Sequence, residues 1–596
     1  MIRPGLGEAA APLALIGAIA LGAGTTTAVW LASGVSRLAA TGRWTPPVWS
    51  PGLLVHTDTP ERGWFAAVLG CLLVVLVLAV VLIGWGIRRL LRQASPRTLL
   101  RATELGDLTG TAQEKRARSL RRLPDDRALT SADRGIRLGV LGGHEVWMSW
   151  EDVALVIMGP RSNKTSAVAV PAVLSAPGLV VATSNKSDLW ALTSGPRAEV
   201  GPVWTFDPQQ IAYAPQTWWW DPLRSIRDAP DDHRYEAAAR LAGHFMGTIG
   251  GQRRDPFFHA AGEQVLTGTL LAAAIGRRTM REVVIWLQHG RRDAVAALDG
   301  VGAVVEAADL DAALRGADVT AKGIYQTART ATKALTSERI LRWITPPHTW
   351  RTGPDDMQVE LDPWQLLTTA SEQPVTAHLL SKEGAGTAAP VVAALVDRLL
   401  EVAELQAQAA GGRLDPPVVA VLDEAANICP IQQLPQLYSH YGSRGIQVLT
   451  MLQSYQQGVG VWGAQGMDSL WSAATIKLVG AGVDDHAFLQ RLSGLIGDHD
   501  VEKRSTSYGR GNGRTWQTST TRQPILPPDA LRSLKRTHAV LLTSGRRAGL
   551  AQLLPWYRER HAADITAYAD SALNELRETA QRVLGALYES PQEKTP

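Results

Sequence analysis

Cysteine is almost missing: 596 residues hold 2, Cys71 inside an apolar run and Cys429 far downstream, which excludes a disulfide-stapled scaffold. Net charge is nearly missing as well. Sixty basic against 56 acidic residues leave a formal charge of +4, so no overall field marks a nucleic-acid binder and any such role must rest on local patches. Lysine is scarce, since 50 of the 60 basic residues are Arg, a bias that suits phosphate contact and equally suits GC-rich coding. No internal repeat is present. The chain does have apolar residues (45%), 55 Gly and 34 Pro, with 19% charged, which excludes a disordered or collagenous protein. At about 150 residues per domain the length predicts several folded units.

Two stretches lack charge altogether. The runs between Glu8 and Arg37 and between Arg62 and Arg88 hold 28 and 25 uncharged residues, and a helix crosses a bilayer core with about 20. They predict transmembrane helices at 10–35 and 64–87, the second bracketed by Trp64 and Trp85. The first also fits a cleaved signal peptide, although it is long for one. Arg88, Arg89, Arg92, Arg97 and Arg101 follow the second run with no acidic residue before Glu104. The positive-inside rule then predicts a multi-pass plasma-membrane protein in contact with inner-membrane lipid, its large C-terminal part cytoplasmic.

Residues 94–135 are charged and lack a sustained apolar stripe, which predicts a linker. From Ile136 short apolar runs alternate with helical stretches: Val153 to Met158, Gly178 to Thr183, Val203 to Phe206, Val418 to Leu422, Ile446 to Met451, Ile476 to Val479 and Ala539 to Thr543. Such runs predict an α/β fold with a parallel sheet covered on both faces. Over 224–345 the apolar period changes to three and four, with Phe257, Phe258, Ala261, Val265, Leu266, Thr269, Leu270 and Ala273 on one face. This predicts an all-helical insertion. Residues 561–596 read as a docking helix (Ile565, Tyr568, Leu573, Leu576) with a tail.

The run Val153 to Met158 leads into Gly159, Pro160, Arg161, Ser162, Asn163, Lys164, Thr165 and Ser166, then a helix. Strand, tight loop, Lys-Thr and helix is the order of a phosphate-binding loop, in which backbone N–H groups cradle phosphates, Lys reaches the β- and γ-phosphates and the hydroxyl holds Mg²⁺. The usual pattern has Gly directly before Lys and six positions before it. Here those positions are Asn163 and Met158, with Gly one later at 159. Asn tolerates unusual backbone angles better than other non-Gly residues, and a cradle of backbone groups survives side-chain changes. A structural loop with a chance Lys-Thr is the alternative.

Downstream, Val418 to Leu422 ends in Asp423-Glu424. A strand delivering Asp423 beside the loop strand would hold the Mg²⁺ shell, and Glu424 would orient or deprotonate an attacking water. An acidic pair capping a helix is the plainer reading. Arg444, at a Gly-Ser-Arg-Gly turn, is a candidate for neutralising γ-phosphate charge in a neighbouring subunit, and Gln453 for sensing that phosphate. A solvated Arg and a helix-capping Gln are the alternatives.

As an ordered set these segments resemble the type IV coupling proteins of bacterial conjugation and type IV secretion: GPRSNKTS at 159–166, VVATSNKSDLW at 180–190, VWTFDPQ at 203–209, WDPLRSI at 220–226, VLDEAANI at 421–428, SRGIQVLTMLQSYQQ at 443–457 and PILPPDALRSL near the end. The resemblance implies a RecA-like P-loop NTPase domain over 136–223 and 346–560, interrupted by a helical domain that contacts DNA or the relaxosome. It implies a hexamer that uses ATP and Mg²⁺ to deliver single-stranded DNA with its relaxase to a secretion channel. By motif matching, Lys164 and Thr165 take the nucleotide and Mg²⁺ roles, Asp423 the second metal role and Glu424 the catalytic carboxylate role. Abundant Arg and Ala with little Lys suggest a GC-rich host such as an actinobacterium.

An ATPase exporting proteins and a non-hydrolysing docking protein with a decayed loop are the rival readings. Two further segments invite a nucleic-acid role, Arg504 to Arg522 and Trp218-Trp219-Trp220. For the first, an exposed hairpin is the simpler expectation, and for the second, packing at a domain junction.

Overall fold

Strands buried on both faces need continuous apolar runs, and the runs named above become strands of one large sheet, with Val203 to Phe206 at its edge. The computed structural model describes residues 6–54, isolated stretches within 63–78, and 99–588 apart from 250–254, 290–292, 316–317, 351–357 and 509–513. Contacts divide the chain into two units, Met1–Arg97 and Thr98–Pro596.

In the first unit the helix Leu6–Thr41 is followed by a turn in which Trp30 Nε1 donates to the Pro47 carbonyl at 2.6 Å and the Trp30 ring meets Trp44 edge-on. No helix among the described residues is long and apolar enough to cross a membrane. This finding corrects the expected multi-pass membrane localisation and the expected fold with two transmembrane helices. Absence of charge is not the same as sustained hydropathy: Gly17, Gly22, Gly24, Thr25, Thr26, Thr27, Ser33, Gly34 and Ser36 dilute the first run with small and polar residues. The second expected span, 64–87, falls largely outside the described residues.

The second unit carries β1 (Ile136–Leu141), β2 (His144–Met148), β3 (Ala154–Ile157), β4 (Leu179–Ser184), β5 (Val203–Phe206), β6 (Trp218–Trp219), β7 (Val359–Glu360) and β8 (Val375–Leu380). It continues with β9 (Val418–Leu422), β10 (Ile446–Leu452), β11 (Ile476–Gly480), β12 (Asp498–Tyr508), β13 (Arg514–Pro524), β14 (His538–Thr543) and β15 (Gly549–Gln552). Eleven of these form one sheet in the order β2-β1-β15-β14-β11-β3-β10-β9-β4-β8-β5. Neighbours from β11 through β5 run parallel, and β14, β15, β1 and β2 extend the sheet antiparallel. Along β3 side chains alternate between two cores, Leu155 and Ile157 facing one and Ala154 and Val156 the other. All four are fully buried, so β3 is held from both sides.

Between β6 and β7 the described chain is helical. Its longest helix, Pro256–Ile275, starts with Pro at its first position, and Asp255 caps it by accepting from the N–H groups of Phe257 and Phe258. Of the expected stripe, Val265, Leu266, Leu270 and Ala273 are buried, whereas Phe257 is exposed. The helix Arg234–Met246 meets the sheet unit through Arg240 and His244, both bonded to buried Asp397 on the helix Ala389–Ala409. Trp218, Trp219 and Trp220 are buried, with Trp218 edge-to-face on Trp343, so this run packs and does not present rings to a ligand.

Residues 99–134 differ from the expected linker. Leu99, Leu100, Leu105 and Leu108 are buried, Leu100 donates its N–H to the Ala548 carbonyl, and Arg546 ties Asp107 and the Leu105 carbonyl. Four leucines without helical spacing carry no periodic signal, yet Leu100, Leu105 and Leu108 join the core beside β1 and β15, and Leu99 joins the core on the other face. The Arg504 to Arg522 segment lies in the β12–β13 hairpin, paired from Asp498↔Pro524 to Tyr508↔Arg514. The C-terminal helix Ala562–Tyr588 docks through Ile565 and Tyr568, whose ring covers Gly195, while Leu573 and Leu584 stay exposed.

Candidate functional site

The loop after β3 is fixed first by its neighbours' backbones. Met158 N–H donates to the Leu452 carbonyl and Gly159 N–H to the Ala481 carbonyl, each at 3.0 Å, so the ends of β10 and β11 clamp the loop entrance. A Cβ on Gly159 would stand 1.9 Å from the Gly482 carbonyl oxygen, which explains the glycine by close approach. Arg161 and Asn163 then adopt left-handed angles, φ +56° and +67°. Asn163 thus holds the conformation a glycine normally supplies before the lysine, and its side-chain amide donates to the Arg536 carbonyl at 3.2 Å. Ser162 is buried and donates to the Gly159 carbonyl at 2.5 Å, while Pro160 and Arg161 face outward. Among the described residues no protein acceptor takes the N–H groups of Arg161, Ser162 or Asn163.

Lys164 begins the helical segment that follows, a π turn Thr165–Ala169 continued by the α-helix Val170–Ser175, with Ser166 half-buried in the turn. Its ammonium lies 2.7 Å from Glu424 Oε1 and 3.1 Å from Asp423 Oδ1. Thr165 Oγ1 donates to Asp423 Oδ2 at 3.2 Å. All three charged groups are buried. Burial works against the lysine's charge, but Asp423 and Glu424 outweigh it and hold its pKa above the ordinary lysine value. Burial lifts the Asp423 carboxyl above its usual range; Lys164 opposes this and the adjacent Glu424 adds to it. Two carboxylates sharing one ammonium leave surplus negative charge in a dry site, which favours a further cation.

Asp423 and Glu424 follow β9, and the sequence expectation set that strand beside β3. The structure places β10 between them, in register with both. This intervening strand delivers Gln453, whose Nε2 donates to both Glu424 oxygens at 3.0 Å. Glu424 itself is left-handed at φ +55°, ψ 40°, a strained conformation for a residue with a branched-free but full side chain. Thr183, at the end of β4, donates to the Asp423 carbonyl at 3.0 Å. Sequence reasoning missed Thr183, although a hydroxyl closing an apolar strand was the available signal. Lys164, Thr165, Asp423, Glu424 and Gln453 therefore converge from three strand ends. Arg444 does not join them: it precedes β10 at the opposite edge of the sheet and pairs with Glu404.

A hydroxyl beside a carboxylate is a hard-oxygen donor set of the kind Mg²⁺ takes, with phosphate oxygens and water completing the shell. Among the described residues no group of three His, Cys, Asp or Glu side chains is arranged to hold a metal alone. A metal at Thr165 and Asp423 would thus depend on oxygens brought by a ligand.

The family described as Type IV secretory system Conjugative DNA transfer matches residues 115–326, and that described as TraM recognition site of TraD and TraG matches residues 417–536. Protein VirD4 of Agrobacterium fabrum is 22% identical over 411 residues, covering 68% of this chain and 59% of that protein. VirD4 of Rhizobium rhizogenes is 21% identical with the same coverage. The chain therefore spans about three fifths of the length of these curated relatives. The unbound monoclinic form of the bacterial conjugative coupling protein TrwB, lacking its N-terminal part, shares the fold at TM-score 0.50 and 16% identity, over 74% of this chain and 91% of that one. Two family matches, one running from the first strands into the helical part and one over the later strands, with this shared mixed α/β fold, lead to one assignment: the chain belongs to the type IV coupling proteins.

Proposed function

We propose that this chain is an ATP-hydrolysing motor that delivers single-stranded DNA, with its attached relaxase, to a type IV secretion or conjugation channel. The observation that carries the reading is the convergence of Lys164, Thr165, Asp423, Glu424 and Gln453 at the ends of β3, β9 and β10. Residues 136–223 and 346–560 serve as a RecA-like nucleotide-binding domain, and 224–345 as a helical insertion domain.

In the motor, the N–H groups of Arg161, Ser162 and Asn163 bind phosphate oxygens, and the helix start behind them favours the negative charge. Lys164 leaves the carboxylates to neutralise the terminal phosphates, and Thr165 with Asp423 holds Mg²⁺. Held there, Mg²⁺ would supply positive charge against the negative charge that develops on the phosphates. Glu424, freed of Lys164, orients a water and accepts its proton, while Gln453 fixes the carboxylate from the side. Arg444, at the far edge of the sheet, acts on a neighbouring copy in an assembled hexamer, and ATP bound between copies gates the passage of DNA.

Phosphate release by the purified chain, with and without single-stranded DNA, tests the reading. Hydrolysis stimulated severalfold by DNA and lost with Lys164→Ala is the expected result. Hydrolysis indifferent to DNA, with no salt-sensitive DNA binding, would instead favour a protein cargo. Equal rates for the natural chain and Lys164→Ala would mark a scaffold that does not hydrolyse ATP.

A further inference from the structure

The phosphate loop is one residue short. Four residues, Pro160 to Asn163, separate Gly159 from Lys164, whereas a phosphate-loop pattern has five between its first glycine and its lysine. A chain shortened between two fixed points must turn more tightly or draw its far end inward. Both ends are fixed here. Gly159 is pinned to the Ala481 carbonyl and pressed on Gly482, and the helix beyond is locked by fully buried Val168, Ala169, Val170 and Val173.

Two local features answer that constraint. Arg161 and Asn163 are both left-handed, two non-glycine residues within three positions. The helix then opens with a π turn over Thr165–Ala169, in which Val170 N–H reaches back five residues to the Thr165 carbonyl. A π turn holds one more residue than an α turn and is the helical form of a single-residue insertion. One residue missing before Lys164 is thus matched by one extra just after it.

We propose that the π turn Thr165–Ala169 compensates the short loop, holding Lys164 over Asp423 and Glu424 while the buried face of the following helix keeps its register. The inference rests on the nucleotide-site reading for its purpose, but the compensation itself concerns only the chain's own geometry. It assigns Thr165–Ala169 a positioning role and makes the loop and the turn a coupled pair. Replacing Asn163 by glycine would therefore leave the defect in place, because the loop lacks a residue and not flexibility.

Three variants of the full chain test it: deletion of Ser166, insertion of one glycine after Pro160, and both together. Each is followed by thermal unfolding and by the Kd for a fluorescent ATP analogue. Either change alone is expected to weaken analogue binding at least about tenfold and to lower the unfolding temperature. The combined variant is expected to return to within about threefold of the natural Kd and to regain most of the lost temperature. If a single change prevents folding, recovery of a folded chain by the second is the same result. A combined variant no better than the worse single one, or a harmless Ser166 deletion, would overturn the proposal. Should the natural chain fail to bind the analogue, the nucleotide reading falls, and the unfolding temperatures still decide the compensation.

Discussion

The Lys164 ammonium and the Glu424 carboxylate stand 2.7 Å apart although 260 residues separate them, and both are buried. Removing one partner of such a contact strands the other charge in a dry environment, which costs about 3 kcal/mol or more. Lys164→Ala is therefore expected to lower stability by about 3 kcal/mol as well as abolish ATP hydrolysis. Urea unfolding and phosphate release check the two arms separately. A variant as stable as the natural chain would mean that the carboxylates are already balanced by another cation.

Glu424 separates binding from chemistry. Gln in its place keeps the shape and one acceptor for Gln453 but cannot take a proton. Glu424→Gln should retain the natural Kd for an ATP analogue within about threefold and reduce turnover by about 100- to 1000-fold. A proportional loss of both would make the residue a part of the nucleotide cradle and not a base.

The glycine at the loop entrance is explained by space alone. At Gly159 the obstructing atom is the Gly482 carbonyl oxygen, part of the backbone and unable to swing away. Gly159→Ala is expected to destabilise by about 1–3 kcal/mol and to disrupt the loop. Gly460 offers the control: it lies exposed within the helix Tyr455–Ala473, with nothing within 4 Å of an added Cβ. Gly460→Ala should be neutral or stabilise by about 0.5–1 kcal/mol. Similar unfolding midpoints for the two variants would refute the close-approach argument.

Much of the sheet was legible because its strands are apolar without interruption. The strand β8 was not: Val375–Leu380 carries Thr376 and His378, and no rule of apolar runs finds it. Both polar groups are satisfied inside, Thr376 by Arg197 and His378 by Thr193, contacts that only the folded chain brings together. The site followed the same division. Lys164, Thr165 and the acidic pair could be read from spacing, since local order carries them. The insertion of β10 between β3 and β9, the left-handed Glu424 and the π turn depend on tertiary pairing and leave no mark in composition or period. The uncharged N-terminal run misled because charge was read where hydropathy decides.

His378 lies fully buried on β8, its Nε2 placed 3.3 Å from the Thr193 hydroxyl, which itself donates to the Leu189 carbonyl. Burial, with a smaller push from the Arg197 guanidinium, drives its pKa down to about 3. The ring is thus neutral in the folded chain, whereas a histidine in the unfolded chain gains a proton near pH 6.5. Below that pH the unfolded state binds the extra proton, so stability is lost as pH falls from about 6.5 toward 3, by up to about 1.4 kcal/mol per unit. His378→Gln keeps a donor for Thr193 and carries no titrating group. Between pH 7.5 and 5.0 the natural chain should lose about 2 kcal/mol more unfolding free energy than the variant, measured by urea titration at each pH. Equal losses would mean that His378 takes up its proton inside the fold and that a partner for the imidazolium lies beside it.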